Sequence, residues 1–304
     1  MRRIAVRTLP DGTLKRLQPF HICMRGLETV VLCRTDEDYD AMVKILCVSA
    51  WRSNVIIIIY TVVSNHCHVC ILAETQIAAD AFCADVKKTF SMWFRKRYGE
   101  AKILHGVDMK ALCLDTEWYV RNALAYVVRN ILDNGGEVNS YPWSGYRAMF
   151  SNDEAAVNCR AVSSLAKRER EAIMHTGEKL TGVPWLIDSD CRMVPHSICD
   201  CLYLEQCFEN DQAFFLKSIG SVNTTDMHYN LEERPYQLQS DTEFYKSVED
   251  TCQRWFTKSL SEISIEQKNR LVPYIYHTRK TTIPQLSRVT GIPRDSLARM
   301  LKKR

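Results

Sequence analysis

Residues 55–72 read VIIIIYTVVSNHCHVCIL: an apolar run, two histidines and a second, shorter apolar run. The length of each run and its β-branched residues predict two neighbouring β-strands. Because side chains alternate between the faces of a strand, His66 and His68 share one face and Cys67 points to the other. Two neutral imidazoles on one face can bind a divalent metal ion, but they can equally be ordinary polar side chains on a sheet surface.

The segments on either side of these strands predict an α+β fold. The order strand, helix, two strands, helix, strand, helix favours an antiparallel sheet with its helices on one face. Asp115 can cap the last helix, and Gly135 with Gly136 ends it. Besides the two strands above, a strand is predicted at 20–26 and a strand or loop at 101–114, and predicted helices cover 36–51, 75–99 and 115–136.

The pattern changes near residue 152, where the chain becomes more polar and its apolar residues take helical spacing. This change predicts a first domain at residues 1–152, followed by a mostly helical connecting region at 153–260. Residues 261–304 are predicted to form a C-terminal module of their own. The sequence therefore predicts three segments, of which the first carries the paired histidines.

The composition is that of an ordinary soluble protein, since 46% of the 304 residues are hydrophobic and 25% are charged. No apolar run approaches the roughly 20 residues of a membrane span. The N-terminus MRRIAVRTLPDG lacks the apolar core of a signal peptide. We therefore expect a cytoplasmic protein that binds no membrane. The 13 cysteines are expected to be reduced thiols, and the cluster Cys199, Cys201 and Cys207 lacks the paired spacing of a zinc site.

Positive charge is concentrated in two segments. Residues 268–304 contain ten Lys or Arg and one acid, so this end carries +9 while the rest of the chain carries −5. The second segment, 87–98, interleaves basic and aromatic residues, which suits a phosphate backbone and unstacked bases. It equally suits a helix that buries its rings and solvates its charges. The candidate DNA contacts in the first domain are Arg25, Lys87, Lys88, Arg95, Lys96 and Arg97.

The C-terminal end, TIPQLSRVTGIPRDSLARMLKKR (282–304), has the spacing of a helix-turn-helix. Small Ser287 lies four positions before Gly291, which is predicted to make the turn. The alternative is a solvated basic tail helix. The predicted apolar seam consists of Leu286, Val289, Ile292, Leu297 and Leu301, and the residues left to face DNA are Arg294, Ser296, Arg299 and Lys302.

An unusual polar stripe runs along the predicted helix 115–136. At about 100° per residue, Tyr119, Asn122, Tyr126 and Asn130 lie on one side of this helix. A stripe that faces a core is usually apolar, so this one favours a polar cleft beside the histidines. A tyrosine hydroxyl can act as a nucleophile, and an asparagine carbonyl can bind a metal. Alternatively, the tyrosines are half-buried with their hydroxyls bonded to water.

Taken together, these stretches resemble one family. An apolar strand, then N-H-x-H, then a helix with Y-x-x-x-N, then YPWSGYR at 141–147 is similar to the REP-associated tyrosine transposases of the HUH endonuclease superfamily. The strand FHICMRG and the acidic helix start DEDYD are also similar to that family. The resemblance covers residues 18–150 and implies a ferredoxin-like antiparallel sheet that carries two metal-binding histidines, followed by a helix that presents one nucleophilic tyrosine.

The resemblance implies roles for four residues. His66 and His68 become ligands of Mg²⁺ or Mn²⁺, Asn130 becomes a third ligand, and Tyr126 becomes the nucleophile. The Cys67 thiol between the two histidines replaces an apolar residue and is a tolerable change.

Tyr119 competes for the nucleophile's role because it lies on the same stripe as Tyr126. The residue four positions after Tyr119 is Ala123, which cannot bind a metal, whereas Asn130 lies four positions after Tyr126. The sequence therefore favours Tyr126. Ile131 stands where the family usually has proline, which predicts that the helix continues past this point.

The implied activity is metal-dependent nicking and rejoining of single-stranded DNA beside hairpins, through a 5′-phosphotyrosine intermediate. The expected partners are single-stranded and hairpin DNA, with duplex DNA bound through the C-terminal module, and the protein would be a nucleoid-associated monomer or homodimer. A different class of function is a non-catalytic DNA-binding regulator that retains the transposase fold. A third class, a metal-dependent hydrolase of small molecules, lacks a general-base carboxylate near the histidine pair.

Overall fold

The computed structural model describes residues 4–25, 31–100, 104, 107–151, 158–222, 227, 241–278, 281 and 283–302. The chain forms two compact units, Met1–Met227 and His228–Arg304. The predicted boundaries at 152 and 260 do not coincide with this division, and residue 152 lies outside the described residues. The fold is therefore mixed α and β, with the sheet confined to the first unit.

A five-stranded antiparallel sheet forms the centre of the first unit. Its strands lie in the order β1-β2-β4-β3, and β5 pairs with the second half of β2, beyond the part that β1 covers. Strand β1 was not predicted, whereas the predicted strand or loop at 101–114 contains a strand. The strands are β1 (Ala5–Thr8), β2 (Leu14–Arg25), β3 (Ile56–Val62), β4 (Cys67–Ala73) and β5 (Asp108–Cys113).

Three long helices accompany the sheet, close to where the sequence predicts them. They are α1 (Asp36–Arg52), α2 (Gln76–Tyr98) and α3 (Glu117–Asp133). The helix α2 begins as expected after Thr75, whose side chain accepts a hydrogen bond from the backbone N–H of Ala78.

The prediction that Asp115 caps α3 is wrong. The N-cap is Thr116, whose hydroxyl accepts from the backbone N–H of Tyr119 at 3.2 Å. The helix continues past Ile131 to Asp133, as the missing proline predicts, and Gly135 follows with a positive φ of 76°. A glycine fits there because a Cβ would disfavour that left-handed conformation.

The helices cover both faces of the sheet, so the prediction of helices on one face is wrong. On one face, Val69 and Ile71 of β4 pack in one buried cluster with Phe82 and Phe90 of α2 and with side chains of α1. On the other face, α3 contacts β3 and β4, and the ring of Tyr126 lies against His68. The alternation of side chains along β4 produces these two different surfaces.

The segment YPWSGYR covers the outer edge of β3. Val62 donates its backbone N–H to the carbonyl oxygen of Trp143 at 3.0 Å, and Thr61 and Ser144 form an isolated antiparallel bridge. Gly145 opens a short 3-10 helix, Gly145–Ala148, where the backbone comes close to the sheet. The segment therefore supplies hydrogen bonds to an edge strand that would otherwise be exposed.

Residues 158–222 belong to the first unit, and they make up only part of the predicted helical region 153–260, whose described remainder includes the helix Asp241–Phe256. Two-residue strands and short 3-10 helices lie between the helices of this region, and α5 and α6 contact α3. This packing onto α3 explains why the unit extends beyond residue 152. The elements are β6 (Arg160–Ala161), α4 (Lys167–Met174), β7 (Leu186–Ile187), α5 (Cys201–Cys207) and α6 (Gln212–Ser221).

The second unit is helical in its described part. Its helices are α7 (Asp241–Phe256), α8 (Ile265–Thr278), α9 (Ile283–Thr290) and α10 (Arg294–Lys302). Leu286 of α9 and Leu297 of α10 are fully buried in one cluster with Phe244 and Val248 of α7. The predicted module boundary at 260 therefore divides a single core, because α7 lies before it.

Candidate metal and nucleophile site

Two imidazole nitrogens converge at the start of β4. The Nε2 atoms of His66 and His68 lie 2.9 Å apart, with His68 fully buried and His66 half-buried. Two nitrogens that bind one ion at about 2.1 Å lie roughly 3 Å apart when their bonds are at right angles. The separation of the two Nε2 atoms therefore fits two neighbouring ligands of one metal ion.

The partners of the remaining ring nitrogens hold the two imidazoles in place. The Nδ1 atom of His66 lies 2.7 Å from Oδ1 of Asn65, and Nδ1 of His68 lies 3.3 Å from Nε2 of His21. Asn65 thus holds the ring of His66 in place, in addition to forming part of the turn between β3 and β4. A ligating histidine commonly contacts such a partner through its second ring nitrogen.

The helix α3 brings Tyr126 to the same side of the sheet. Its ring meets that of His68 edge-on, with centroids 5.3 Å apart and an interplanar angle of 82°. One turn later, the side-chain amide of Asn130 donates to the carbonyl oxygen of Tyr126 at 2.7 Å. His66, His68 and Tyr126 are therefore brought together, and Asn130 lies on the same helix with its amide nitrogen engaged by the backbone.

Three of the four residues of the predicted polar stripe of α3 are buried, and the fourth, Asn122, is half-buried. Tyr126 is 3% exposed, Tyr119 is 5% exposed and Asn130 is 5% exposed. The ring of Tyr119 contacts that of Trp118, and Asn122 donates to the backbone carbonyl of that tryptophan. The ring of Tyr126 lies against those of His68 and His21, so the sheet contributes to its burial.

Two thiols lie close to the histidines on opposite faces of the sheet. The Cys67 thiol points into the cluster beneath α1 and α2, where burial raises its pKa to about 12, so it stays neutral. The Cys23 thiol lies on the histidine face, with its Sγ atom 3.9 Å from Nε2 of His68. No group of three or more His, Cys, Asp or Glu side chains able to hold a metal occurs within the described ranges.

The donor set that fits a metal is therefore two imidazoles, with an amide oxygen as the further candidate. The three-residue groups considered above consist of His, Cys, Asp and Glu only, so a site formed by two histidines and Asn130 would not be among them. Two neutral nitrogen donors accept Mn²⁺ and softer divalent ions, while an amide oxygen suits hard ions such as Mg²⁺. The cysteine cluster at 199–207 is a set of free thiols.

The aromatic residues of α2 are core residues rather than a platform for bases. Phe90 and Phe94 are fully buried, and Trp93 and Tyr98 are half-buried against the same cluster. The reading in which the helix buries its rings is therefore correct for the two phenylalanines. The helix also packs on the sheet face opposite to that of His68.

The basic residues of the first unit have different environments. Lys87 donates to the carbonyl oxygen of Val107, and Arg97 forms a 2.9 Å ion pair with the buried Asp38, so both contribute to the fold. The side chain of Arg25 lies outside the described residues. The exposed basic side chains of α2 besides Arg97 are Lys88, Arg95 and Lys96.

The two C-terminal helices leave basic residues on the surface of the second unit. Gly291 has a φ of 71° at the turn between α9 and α10, and Ser287 donates its hydroxyl to the carbonyl of Ile292 at 2.7 Å. Arg294 and Arg299 are exposed, Ser296 is half-buried, and the side chain of Lys302 lies outside the described residues. The seam residues Val289, Ile292 and Leu301 are partly buried against the core that contains Leu286 and Leu297.

His21 is the residue of this site that the sequence interpretation does not include. It lies in the middle of β2, between Phe20 and Ile22, and is fully buried. The sequence offered one signal for this residue, namely a histidine within a strongly apolar strand. The pairing of Cys23 with His68, which brings His21 beside the site, depends on a strand order that the sequence does not display.

Comparisons with known proteins found no match: no family model, no curated protein and no solved structure is significantly similar to this chain. Among the helices of the described residues, none has the length and apolar character needed to cross a membrane.

Proposed function

We propose that this protein is a metal-dependent single-stranded DNA endonuclease and strand transferase of the REP-associated tyrosine transposase type. The convergence of the Nε2 atoms of His66 and His68, 2.9 Å apart with the ring of Tyr126 against them, is the observation that carries the proposal. The strand order β5-β2-β4-β3 also supports a ferredoxin-like sheet, because a βαββαβ chain with antiparallel neighbours produces this order. The DNA substrate class comes from the sequence resemblance alone.

The two histidines and Asn130 would hold Mg²⁺ or Mn²⁺ in this site. When bound, such an ion withdraws charge from a non-bridging phosphate oxygen. Tyr126 attacks phosphorus, so a bond between its phenol oxygen and phosphorus forms while the bond from phosphorus to the 3′-oxygen breaks. The phenol proton ends on the released 3′-hydroxyl. Because the phosphotyrosine is again a phosphodiester, the reverse reaction with another 3′-hydroxyl rejoins the strand.

Access is a requirement of this reaction. Tyr126 is 3% exposed, so binding of DNA has to uncover the phenol oxygen. The protein would act as a nucleoid-associated monomer or homodimer.

The nucleophile is tested by Tyr126→Phe, which removes one oxygen and leaves the ring packing against His68 in place. We expect the covalent protein–DNA adduct to disappear, with a loss of at least about a hundredfold in nicking because no other group supplies the nucleophile. The measurement is denaturing electrophoresis after incubation with a library of labelled single-stranded hairpins and Mn²⁺.

Tyr119→Phe is the matched control, since it makes the same change to a tyrosine of the same helix that is also almost fully buried. This control should retain both adduct and nicking. A DNA adduct that persists in the Tyr126 variant and disappears in the Tyr119 variant would contradict the assignment of the nucleophile.

A second candidate function is a non-catalytic DNA-binding regulator with the same fold. The burial of Tyr126 and the bond of the Asn130 amide to the Tyr126 carbonyl favour it, because both residues then serve the packing of α3. The two functions differ in one result: wild-type protein that binds hairpin DNA but forms no adduct with any member of the library would favour the regulator.

Duplex DNA binding through α9 and α10 is a further part of the proposal. The turn at Gly291, the shared core and the exposed Arg294 and Arg299 support a helix-turn-helix. In that arrangement α10 would be the helix that lies in the major groove.

A further inference from the structure

His21 extends the histidine pair into a chain of three imidazoles. It lies on β2 opposite Cys70 of β4 and two residues before Cys23, which pairs with His68. The contact between Nε2 of His21 and Nδ1 of His68 is 3.3 Å, and the two rings are inclined by 27°. Both side chains are fully buried. The contact is therefore made inside the protein, where a mismatched hydrogen bond is costly.

The contact with Asn65 determines which ring nitrogen of His66 carries the hydrogen. The Oδ1 atom of Asn65 accepts hydrogen bonds, so the Nδ1 atom of His66, 2.7 Å away, carries the hydrogen. In a neutral imidazole the other nitrogen then has a lone pair. The Nε2 atom of His66 thus presents a lone pair to the Nε2 atom of His68, 2.9 Å away.

Two hydrogen placements satisfy the contact between His68 and His21. In the first, Nε2 of His21 donates to Nδ1 of His68, and Nε2 of His68 donates to His66. In the second, Nδ1 of His68 donates to Nε2 of His21, which leaves a lone pair on Nε2 of His68. Only the second placement presents two lone pairs to one point, which is what a metal ion between the two nitrogens requires.

We propose that His21 is a positioning residue that accepts the Nδ1 hydrogen of His68 and so holds His68 in the tautomer whose Nε2 binds metal. This inference rests on the metal site of the proposed function. Removal of a residue that supports a metal ligand through a hydrogen bond commonly lowers metal affinity by about 10-fold to 100-fold. His21 contacts the Nδ1 side of His68 rather than the Nε2 side that faces His66, so its effect passes through the orientation and tautomer of His68.

The experiment compares His21→Leu with His21→Gln. Leucine fills the buried space without a hydrogen-bond acceptor, whereas the side-chain oxygen of glutamine can reach the position that Nε2 of the imidazole occupies. We expect Mn²⁺ affinity, measured by calorimetry, to fall about 10-fold to 100-fold in His21→Leu and to remain within about threefold of wild type in His21→Gln. Cys70→Ser is the matched control, because it changes the residue that pairs with His21 and should leave Mn²⁺ affinity unchanged.

Nitrogen-15 magnetic resonance of histidine-labelled protein reads the tautomer directly, with and without diamagnetic Zn²⁺. Without metal, the hydrogen between the two Nε2 atoms, 2.9 Å apart, belongs to His68. At a Zn²⁺ concentration that just saturates wild type, we expect the Nδ1–H form of His68 in wild type and in His21→Gln, and the Nε2–H form in His21→Leu. Circular dichroism of each variant verifies that it is folded. If His21→Leu fails to fold, His21→Asn, which displaces the acceptor, takes its place and should show the same losses.

The outcomes separate this inference from the proposed function. A wild-type protein that binds neither Mn²⁺ nor Zn²⁺ would end the proposed metal site, and the inference about His21 with it. The Nδ1–H form of His68 in His21→Leu at that Zn²⁺ concentration, or equal Mn²⁺ affinities in His21→Leu and His21→Gln, would overturn the inference while leaving the metal site intact.

Discussion

A single hydrogen or a single cation must separate the lone pairs of His66 and His68, because their Nε2 atoms lie 2.9 Å apart. If that position belongs to a metal ion, removing both imidazoles removes the site. We expect His66→Ala/His68→Ala to lose Mn²⁺ binding in isothermal calorimetry while its circular dichroism stays that of a folded protein. The side chains removed lie at the start of one strand, where neighbouring β2 and β3 remain paired with β4.

Cys67→Ala is the control for this metal prediction. It changes the residue between the two histidines, but its side chain points to the opposite face of the sheet. Its loss of packing should cost about 1 kcal/mol of stability and leave Mn²⁺ affinity unchanged. Wild-type affinity in the double alanine variant would show that the histidines do not bind the metal.

At the scale of residues, the sequence predicts what depends on local spacing. The shared face of His66 and His68 follows from the two-residue period of a strand, and the common side of Tyr126 and Asn130 follows from the helical period. His21 could not be found in this way, because its contact with His68 depends on the register between two strands that are 47 positions apart in sequence at this point. The burial of Tyr126 likewise depends on distant strands, because its ring lies against those of His21 and His68.

At the scale of elements, the segment YPWSGYR shows how a short motif can serve the fold. The hydroxyl of Tyr141 donates to the carbonyl of Val62, and the indole of Trp143 donates to a carboxylate oxygen of Asp40. Ser144 donates its hydroxyl to the carbonyl of Tyr60. These contacts fix the segment against β3 and α1, so part of the resemblance at 141–147 reflects a structural requirement.

Gly145 gives a stability prediction for this segment. A Cβ at this position would lie 2.9 Å from Sγ of Cys199 and 3.3 Å from the backbone nitrogen of Tyr60. Because the backbone cannot yield easily, we expect Gly145→Ala to lower the free energy of unfolding by about 1–3 kcal/mol, measured by urea denaturation.

Gly220→Ala is the comparison for this variant. It adds the same methyl group in α6, where nothing lies within 4 Å, and should stabilise the protein slightly because alanine favours a helix. The double variant Gly145→Ala/Cys199→Ala should recover part of the loss, since it removes the nearest atom. Equal stability of Gly145→Ala and wild type would mean that the segment does not pack tightly on β3.

The positions of the long helices and central strands follow from the sequence because periodicity and capping residues act locally. Thr75 caps α2 as its position predicts, but Thr116 replaces Asp115 as the cap of α3. Both residue types can cap a helix, and the backbone conformation just before the helix decides which of the two does so. The use of both sheet faces could not be predicted, because helical periodicity shows that α3 has an apolar side but not which face of the sheet that side packs on.

At the scale of the whole molecule, the division at His228 alters how the C-terminal charge should be tested. A truncation at Lys268 would remove Leu271, Leu286 and Leu297 and expose the apolar side of α7, because all of them belong to one core. Loss of DNA binding in such a truncation would therefore have no single cause. Substitution of exposed basic residues avoids this difficulty.

The last prediction uses Arg294→Ala/Arg299→Ala. Both side chains are exposed on α10, within a segment, 268–304, that contains ten basic residues and one acid. Each phosphate contact contributes about 0.9 to the slope of log affinity against log salt, so two lost contacts should make the slope shallower by about 1.8. Lys167→Ala/Arg168→Ala removes the same charge from exposed positions of α4 and should leave the slope unchanged. Fluorescence anisotropy with duplex DNA over a range of salt concentrations measures both pairs. Equal slopes for the two double variants would show that α10 makes no phosphate contacts and that the helix-turn-helix assignment is wrong.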